Sequence, residues 1–190
     1  MAKLYIEDET YEGLIFASNE LKLGEYENCS FINCDFSNSD LSHFEFVECK
    51  FDGCNLSLAK VKGTAFKGVR FKGCKLMGVI FSDCNTFLLG FEAVDSNLSL
   101  SSFFKLKLKG TKFSNCILHE VDFSEADFTA SVFDNCDLAR AIFDNTTLEK
   151  VDFRSAFSYS IDPEKNKIKK AKFSRLGIIG LLDRYNIDIE

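Results

Sequence analysis

The sequence predicts an all-β solenoid, and two regularities carry that expectation. The large apolar residues Leu118, Phe123, Phe128, Phe133, Leu138, Phe143, Leu148 and Phe153 recur at an unbroken period of five. Two residues before each stands a small one: Cys116, Val121, Ala126, Ser131, Cys136, Ala141, Thr146 and Val151. An α-helix repeats its buried face roughly every 3.6 residues and a strand every second residue, so neither builds this pattern. A fixed self-similar period is the signature of a stacked, quasi-one-dimensional fold.

Residues 1–20 are the least regular. Leu4 and Ile6 alternate with polar residues, which predicts a short strand, and Phe16 is placed to begin the repeat. A solenoid end exposes an apolar cross-section and open strand edges, so this segment is expected to be an N-terminal cap or first irregular coil. From Leu21 a first register runs in fives through Tyr26, Phe31, Phe36, Leu41, Phe46, Phe51, Leu56, Val61, Phe66, Phe71, Leu76, Phe81, Thr86 and Phe91, apolar except at Thr86. The next centre, Leu98, comes seven residues on. That spacing predicts a two-residue insertion between Phe91 and Leu98, as a bulge at a corner. A second register continues through Phe103, Leu108 and Phe113.

The position before the centre is often Asp or Asn, as in Asp35, Asp40, Asn55, Asn85, Asn97, Asp122, Asp127, Asp137 and Asp152. The position two after it holds Gly53, Gly63, Gly68, Gly73, Gly78 and Gly110. Glycine there suits a turn with unusual backbone angles. The unit reads as a short extended segment with two inward side chains, then a turn.

After Phe153 the pattern lapses. Residues 158–168 read as a surface excursion in which Pro163 opens a turn. Phe173, one period of twenty beyond Phe153, closes the repeat region at 21–173. Leu176, Ile179, Leu182 and Tyr185 have helical spacing and the last residues alternate, so 174–190 is expected to form a short helix and strand. With Ile187 and Ile189, these residues form a tail more apolar than an end cap requires, and a homodimer contact is expected there.

Segments such as Cys34-Asp35-Phe36-Ser37-Asn38 and Ala126-Asp127-Phe128-Thr129-Ala130 match the consensus A-[DN]-L-x-x. Over about residues 21–173 the chain resembles the pentapeptide-repeat proteins. The resemblance implies a right-handed quadrilateral parallel β-helix, four pentapeptides to each square coil of twenty residues. That spacing would stack Cys29 on Cys49, Cys34 on Cys54 and Cys74, and Cys116 on Cys136. It would also align Phe31, Phe51, Phe71 and Phe91 in one column and Phe123 with Phe143 in another.

In size and ending the chain is similar to the quinolone-resistance members of the family (Qnr and MfpA types). Those relatives are dimeric rods that bind DNA gyrase and topoisomerase IV, in part by imitating duplex DNA. The similarity implies a dimer contact through 176–189 and an acidic partner-binding face at Asp122, Asp127, Asp137 and Asp152. The alternative is a general protein-interaction scaffold with no gyrase role.

Composition bounds the chemistry. The chain has 21 Phe and no Trp, with 46% hydrophobic and 27% charged residues. All eight cysteines occupy the small slot two before a centre, where a thiol is an apolar filler rather than a metal ligand or disulfide partner. His43 and His119 fall at outward slots, so no nucleophile–base pair is legible, and the chain is expected to be a non-enzyme without cofactor or metal. Gly63, Gly68, Gly73 and Gly78 imitate half of a phosphate loop, but no Gly-Lys-Ser/Thr follows. With no long apolar run and no basic–apolar leader at Met1–Glu9, a cytoplasmic protein is expected.

Charge alternates along the chain. Residues 1–55 carry 3 basic and 12 acidic groups, 56–115 carry 10 and 3, 116–162 carry 3 and 10, and 163–190 carry 7 and 4. In a solenoid these segments become bands along a rod. The basic belt contains Lys60, Lys62, Lys67, Arg70, Lys72, Lys75, Lys105, Lys107, Lys109 and Lys112. Without interleaved exposed aromatic residues it is not expected to bind nucleic acid directly.

Overall fold

The computed structural model describes residues 4–16 and 21–188. The chain winds as a parallel β-solenoid in which paired residues lie twenty apart in sequence, or 22 to 23 apart where the two extra residues intervene. Ten short strands line two sides: β1 (Leu4–Glu7), β2 (Thr10–Glu12), β3 (Gly24–Glu27), β4 (Ser30–Ile32), β5 (Glu45–Val47), β6 (Lys50–Asp52), β7 (Ala65–Lys72), β8 (Gly90–Val94), β9 (Lys112–Ser114) and β10 (Val132–Asp134). One ladder runs β1-β3-β5-β7 and the other β2-β4-β6-β7-β8-β9-β10, with β7 continuing from one side to the other. The remaining two sides are held by single bridges, such as Asp35↔Asn55↔Lys75↔Asn97↔Ile117↔Asp137 and Ile80↔Ser102↔Asp122↔Ile142.

Each coil therefore has four faces, each centred on a buried column. Face one holds Phe36, Leu56, Leu76, Leu98, Leu118 and Leu138, and face two holds Leu41, Val61, Phe81, Phe103, Phe123 and Phe143. Face three holds Tyr26, Phe46, Phe66, Leu108, Phe128 and Leu148, and face four Phe31, Phe51, Phe71, Ala93, Phe113, Phe133 and Phe153.

The pentapeptide produces this because its backbone groups are satisfied between coils and not within one. The Phe36 N–H donates to Asn55 O at 2.7 Å, and the Asn55 N–H donates back to Cys34 O at 3.0 Å. Two residues after most centres the chain turns in the left-handed region, at Asn33 (φ 50°), Asn38 (57°), Gly53 (65°) and Asn135 (50°) among others. Glycine is also needed there for space. A Cβ on Gly63 would stand 2.7 Å from Nδ1 of His43 in the coil below.

The core is a set of ring stacks. Phe31 lies over Phe51 at 4.7 Å, Phe81 over Phe103 at 4.9 Å, Phe103 over Phe123 at 5.5 Å and Phe113 over Phe133 at 5.1 Å, each pair near parallel. Burying each ring contributes about 1.5–3 kcal/mol. All eight cysteines are buried and free. The Sγ of Cys54 donates to Phe31 O at 3.2 Å and that of Cys74 to Phe51 O at 3.3 Å, so the small slot also anchors one coil to the last.

The structure departs from the sequence expectations at four places. Residues 4–16 are in register with the coils above them: β1 pairs β3, β2 pairs β4, and Phe16 stacks on Phe36 at 4.3 Å. The two extra residues lie before Phe91, not between Phe91 and Leu98. The Asn85 N–H still bonds Thr64 O in the regular pattern, whereas Val69 pairs with Phe91 and Phe71 with Ala93. The insertion is thus the segment after Asn85, where Thr86 is exposed and Phe87 and Leu88 project to solvent, each 67% exposed.

Phe91 consequently fills the small slot, and Ala93 takes the centre in the column of Phe71 and Phe113. The ring of Phe91 meets Phe71 edge-on at 5.8 Å and does not extend its stack. Reversing small and large keeps the summed volume, which the core tolerates. In residues 158–168 the coil length is kept, since Thr147 pairs with Lys167. Buried Tyr159, Ile161 and Asn166 occupy this stretch, and Asn166 Nδ2 donates to Phe143 O at 3.0 Å.

The tail folds as two short 3-10 helices, Gly177–Leu181 and Asp183–Tyr185. Residues 186–188 carry no strand, and Ile189 lies outside the described residues. A Cβ on Gly180 would clash with the Tyr159 carbonyl and ring, and one on Gly177 with the Tyr159 hydroxyl. Glycines three apart let a three-per-turn helix lie flat on that residue.

Candidate interaction surface

The four aspartates expected to form an acidic face share one job, which is to hold turns. The carboxylate of Asp122 accepts from the Ser124 N–H at 2.9 Å, Asp127 from Thr129 at 3.0 Å, Asp137 from Ala139 at 3.2 Å and Asp152 from Arg154 at 3.2 Å. Asn55, Asn85 and Asn97 accept the same bond with an amide oxygen, so the turn needs an acceptor and no charge.

Nor do the four lie together. Asp137 is on face one, beside Ile117 and Phe157; Asp122 is on face two, between Ser102 and Ile142. Asp127 is on face three, between Lys107 and Thr147, and Asp152 on face four, between Val132 and Lys172. All four are half-buried. Two are ion-paired, Asp127 to Lys109 at 3.3 Å and Asp152 to Arg154 at 2.7 Å and Lys172 at 3.8 Å, while Asp137 is hydrogen-bonded to the His119 ring at 2.8 Å.

Hydrogen bonding and these partners set the ionisation of Asp127, Asp137 and Asp152. The Arg154 side chain holds Asp152 below the usual carboxylate range against partial burial. For Asp127 and Asp137, burial opposes the charge but is outweighed, by Thr129 and Lys109 in the first and by His119, Ser158 and Ala139 in the second. What remains is a belt of carboxylates around the rod, compensated by Lys or Arg at Asp127 and Asp152, with Asp122 free of an ion pair among the described residues.

The charge bands also pair with one another across coils. Lys67 reaches Glu45 at 3.1 Å and Lys72 reaches Asp52 at 3.9 Å; Lys105 reaches Glu125 at 3.5 Å and Arg140 reaches Glu120 at 2.6 Å. Exposed pairs of this kind are each worth only about 0.2–1 kcal/mol, but opposite charges in register favour the native pairing over a slipped one. The signal is present in the sequence as unlike charges spaced close to twenty apart.

At the C-terminal end the expected dimer residues are surface residues. Leu176 is 85% exposed; Ile179, Tyr185 and Ile187 are exposed and Leu182 is half-buried. Arg184 clamps the tail to the preceding turn through Asp162 at 2.6 Å and Glu164 at 2.9 Å, and Tyr185 donates to Glu164 at 3.2 Å. A groove of about 530 Å³ opens between tail and last coil, lined by Arg154, Phe157, Tyr159, Leu176 and Ile179 among others.

Among the described residues no cluster of three or more His, Cys, Asp or Glu is placed to hold a metal, and no helix is long and apolar enough to cross a membrane. His43 and His119 lie on different faces, His43 against Gly63 and His119 against Asp137.

Comparison with known proteins agrees with this architecture. QnrB1, a plasmid-mediated fluoroquinolone resistance protein, superposes in a trypsin-treated variant form with a TM-score of 0.63 at 20% identity, over 96% of this chain and 99% of the other. Its full-length form gives 0.55 at 21%, over 96% and 100%. HetL, a pentapeptide-repeat protein involved in heterocyst differentiation regulation in Nostoc sp. strain PCC 7120, gives 0.51 at 14%, over 90% and 85%. At these identities the likeness is one of fold. No curated protein matches the chain by sequence. The family model for the pentapeptide repeat region matches residues 25–103 and 106–181, and with the coils described above it establishes that this chain belongs to the pentapeptide-repeat family.

Proposed function

We propose that this chain is a non-enzymatic binding rod that engages DNA gyrase or topoisomerase IV and lowers the sensitivity of that enzyme to fluoroquinolones. The supporting observation is the end-to-end correspondence of the rod with QnrB1, which spans nearly the whole of both chains. A rod with an acidic band at 116–162 is suited to a basic DNA-binding surface, and complementary potential would speed association and make it salt-sensitive. Asp122, Asp127, Asp137 and Asp152 contribute to this band from four sides, as phosphates surround a duplex. The active species in this reading is a homodimer joined through Leu176, Ile179, Leu182, Tyr185, Ile187 and Ile189, working in the cytoplasm with its target.

A gyrase supercoiling assay with ciprofloxacin, titrated with this protein, tests the reading: partial protection is expected at micromolar levels. The charge contribution is tested by Asp→Asn at 122, 127, 137 and 152 together, which keeps the turn acceptor and removes the charge. Weaker gyrase binding is expected; unchanged binding rejects DNA imitation as the mechanism.

A second reading, a protein-interaction scaffold without a gyrase role, is favoured by one observation. The turns account for the aspartates and ion pairs neutralise two of the four. Neither protection nor capture of gyrase would leave that reading in place.

A further inference from the structure

Leu58 and Leu100 stand at the corner between faces one and two with left-handed backbones (φ 58° and 62°) and side chains in solvent, 60% and 55% exposed. Each feature is unfavourable alone. A bulky residue at positive φ is strained relative to Gly or Asn, which occupy most such corners on the N-terminal side of this rod, and an exposed leucine gains nothing from folding. The fold also makes room for them, since Leu58 Cδ2 lies 2.7 Å from where a Cβ on Gly78 would stand. Strain and exposure coinciding on one corner point to a requirement outside the folded chain.

The surroundings say of what kind. Met77 on face one and Ile80 on face two are exposed beside this corner and, with Leu58 and Leu100, make an apolar strip over three successive coils. Lys75 is on face one, in the field of Asp35, and Lys60 and Lys62 are on face two, Lys60 in the field of Asp40; all three are exposed, and none comes within salt-bridge distance of a carboxylate among the described residues. The lysines elsewhere in the belt that meet a carboxylate do so on faces three and four or, like Lys105, at the far corner of face two. An apolar strip beside exposed lysines without a close salt bridge is complementary to apolar side chains carried among carboxylates.

We infer that this corner is a docking surface for an acidic protein segment that presents large apolar side chains. A second copy related by a two-fold axis would set Lys60, Lys62 and Lys75 against their own images. An anionic bilayer would also meet Asp40 below the strip and Asp122 and Glu125 above it, on or beside the same face. Nucleic acid would need open rings for stacking; the strip has none, and the exposed ring at the far end of face two, Phe104, is covered by Lys105 Nζ at 4.6 Å. The surface is independent of the topoisomerase reading, because it uses neither the acidic band nor the tail.

The test uses the full chain and a fluorescein-labelled synthetic peptide in which glutamate alternates with leucine and phenylalanine, followed by anisotropy. Controls are the same peptide with serine for its apolar residues, single- and double-stranded oligonucleotides, and phosphatidylserine vesicles. The apolar acidic peptide is expected to bind and to weaken as salt is raised. Leu58→Asn with Leu100→Asn should reduce its affinity roughly tenfold or more, and Lys60→Gln with Lys62→Gln should remove the salt dependence. The Asn pair suits the left-handed backbone, so its thermal midpoint should equal or exceed that of the parent, which separates lost docking from lost fold. No peptide binding, binding indifferent to the Asn pair, equal binding of the serine peptide, or a preference for vesicles or oligonucleotides that depends on the same residues overturns the inference. So does a shift to a dimer that the Asn pair abolishes.

Discussion

The reversal at Phe91 and Ala93 makes a sharp test of the core. Phe91 sits in the small slot and Ala93 at the centre, fully buried, paired with Phe71 below and Phe113 above. Phe91→Ala alone removes a ring that meets Phe71, Phe81, Phe103 and Phe113, and should cost about 3–5 kcal/mol. Ala93→Phe alone forces a second ring into a filled coil, at about 1–3 kcal/mol or more. The double variant restores small-then-large and lets residue 93 join the stack of Phe71 and Phe113. As a volume-conserving swap it should lie within about 1.5 kcal/mol of the parent. The two substitutions should therefore be coupled by at least about 2.5 kcal/mol relative to their sum. Equilibrium unfolding in urea, followed by far-ultraviolet circular dichroism and tyrosine fluorescence, measures this directly. A double variant as unstable as the sum of the singles would refute the volume exchange and with it the placement of the insertion before Phe91.

Three further outcomes are expected. Burial pushes the Cys49 and Cys84 thiols up to about 12, and all eight cysteines are buried, so Ellman's reagent should react negligibly with the native protein and with all eight thiols in denaturant; prompt labelling of the native state would show that the coils open. Asp35, Asp127, Asp137 and Asp152 are held below the ordinary carboxylate value of 3.8, so their contribution is present above that value and is lost as pH falls through and below it. The thermal midpoint should drop in that window, and a flat profile down to pH about 2 would contradict the assigned hydrogen bonds. Removal of residues 176–190 should leave a monomer by light scattering; a persisting dimer would sink the proposed tail contact.

Most of the fold is open to inspection in the chain because its stabilising contacts repeat. A buried column is a set of residues at one spacing, so Phe31, Phe51 and Phe71 can be aligned without coordinates. Phe91 cannot, since it is apolar and fits either register; only the pairing of Val69 with Phe91 and Phe71 with Ala93 distinguishes them. Thr86, the one polar centre of the first register, is the signal that the break comes earlier. On the surface, the aspartate slot is legible, and the separation of its members follows from the period: positions 122, 127, 137 and 152 fall at four different places in a repeat of twenty. Nothing in the sequence marks the corner leucines, because a leucine at a turn slot looks like any other surface residue until its backbone angle is known.

The sequence by itself determined the solenoid, the inward and outward sides of each pentapeptide, and the burial of the cysteines, because each follows from residue size at a fixed period. Only the tertiary structure decided where the two extra residues lie, how the tail caps the rod on Tyr159, and which outward charges meet. Those depend on neighbours one coil away. Asp137 and His119 are eighteen residues apart along the chain and 2.8 Å apart in space, while Asp122 and Asp127, five apart, belong to different faces.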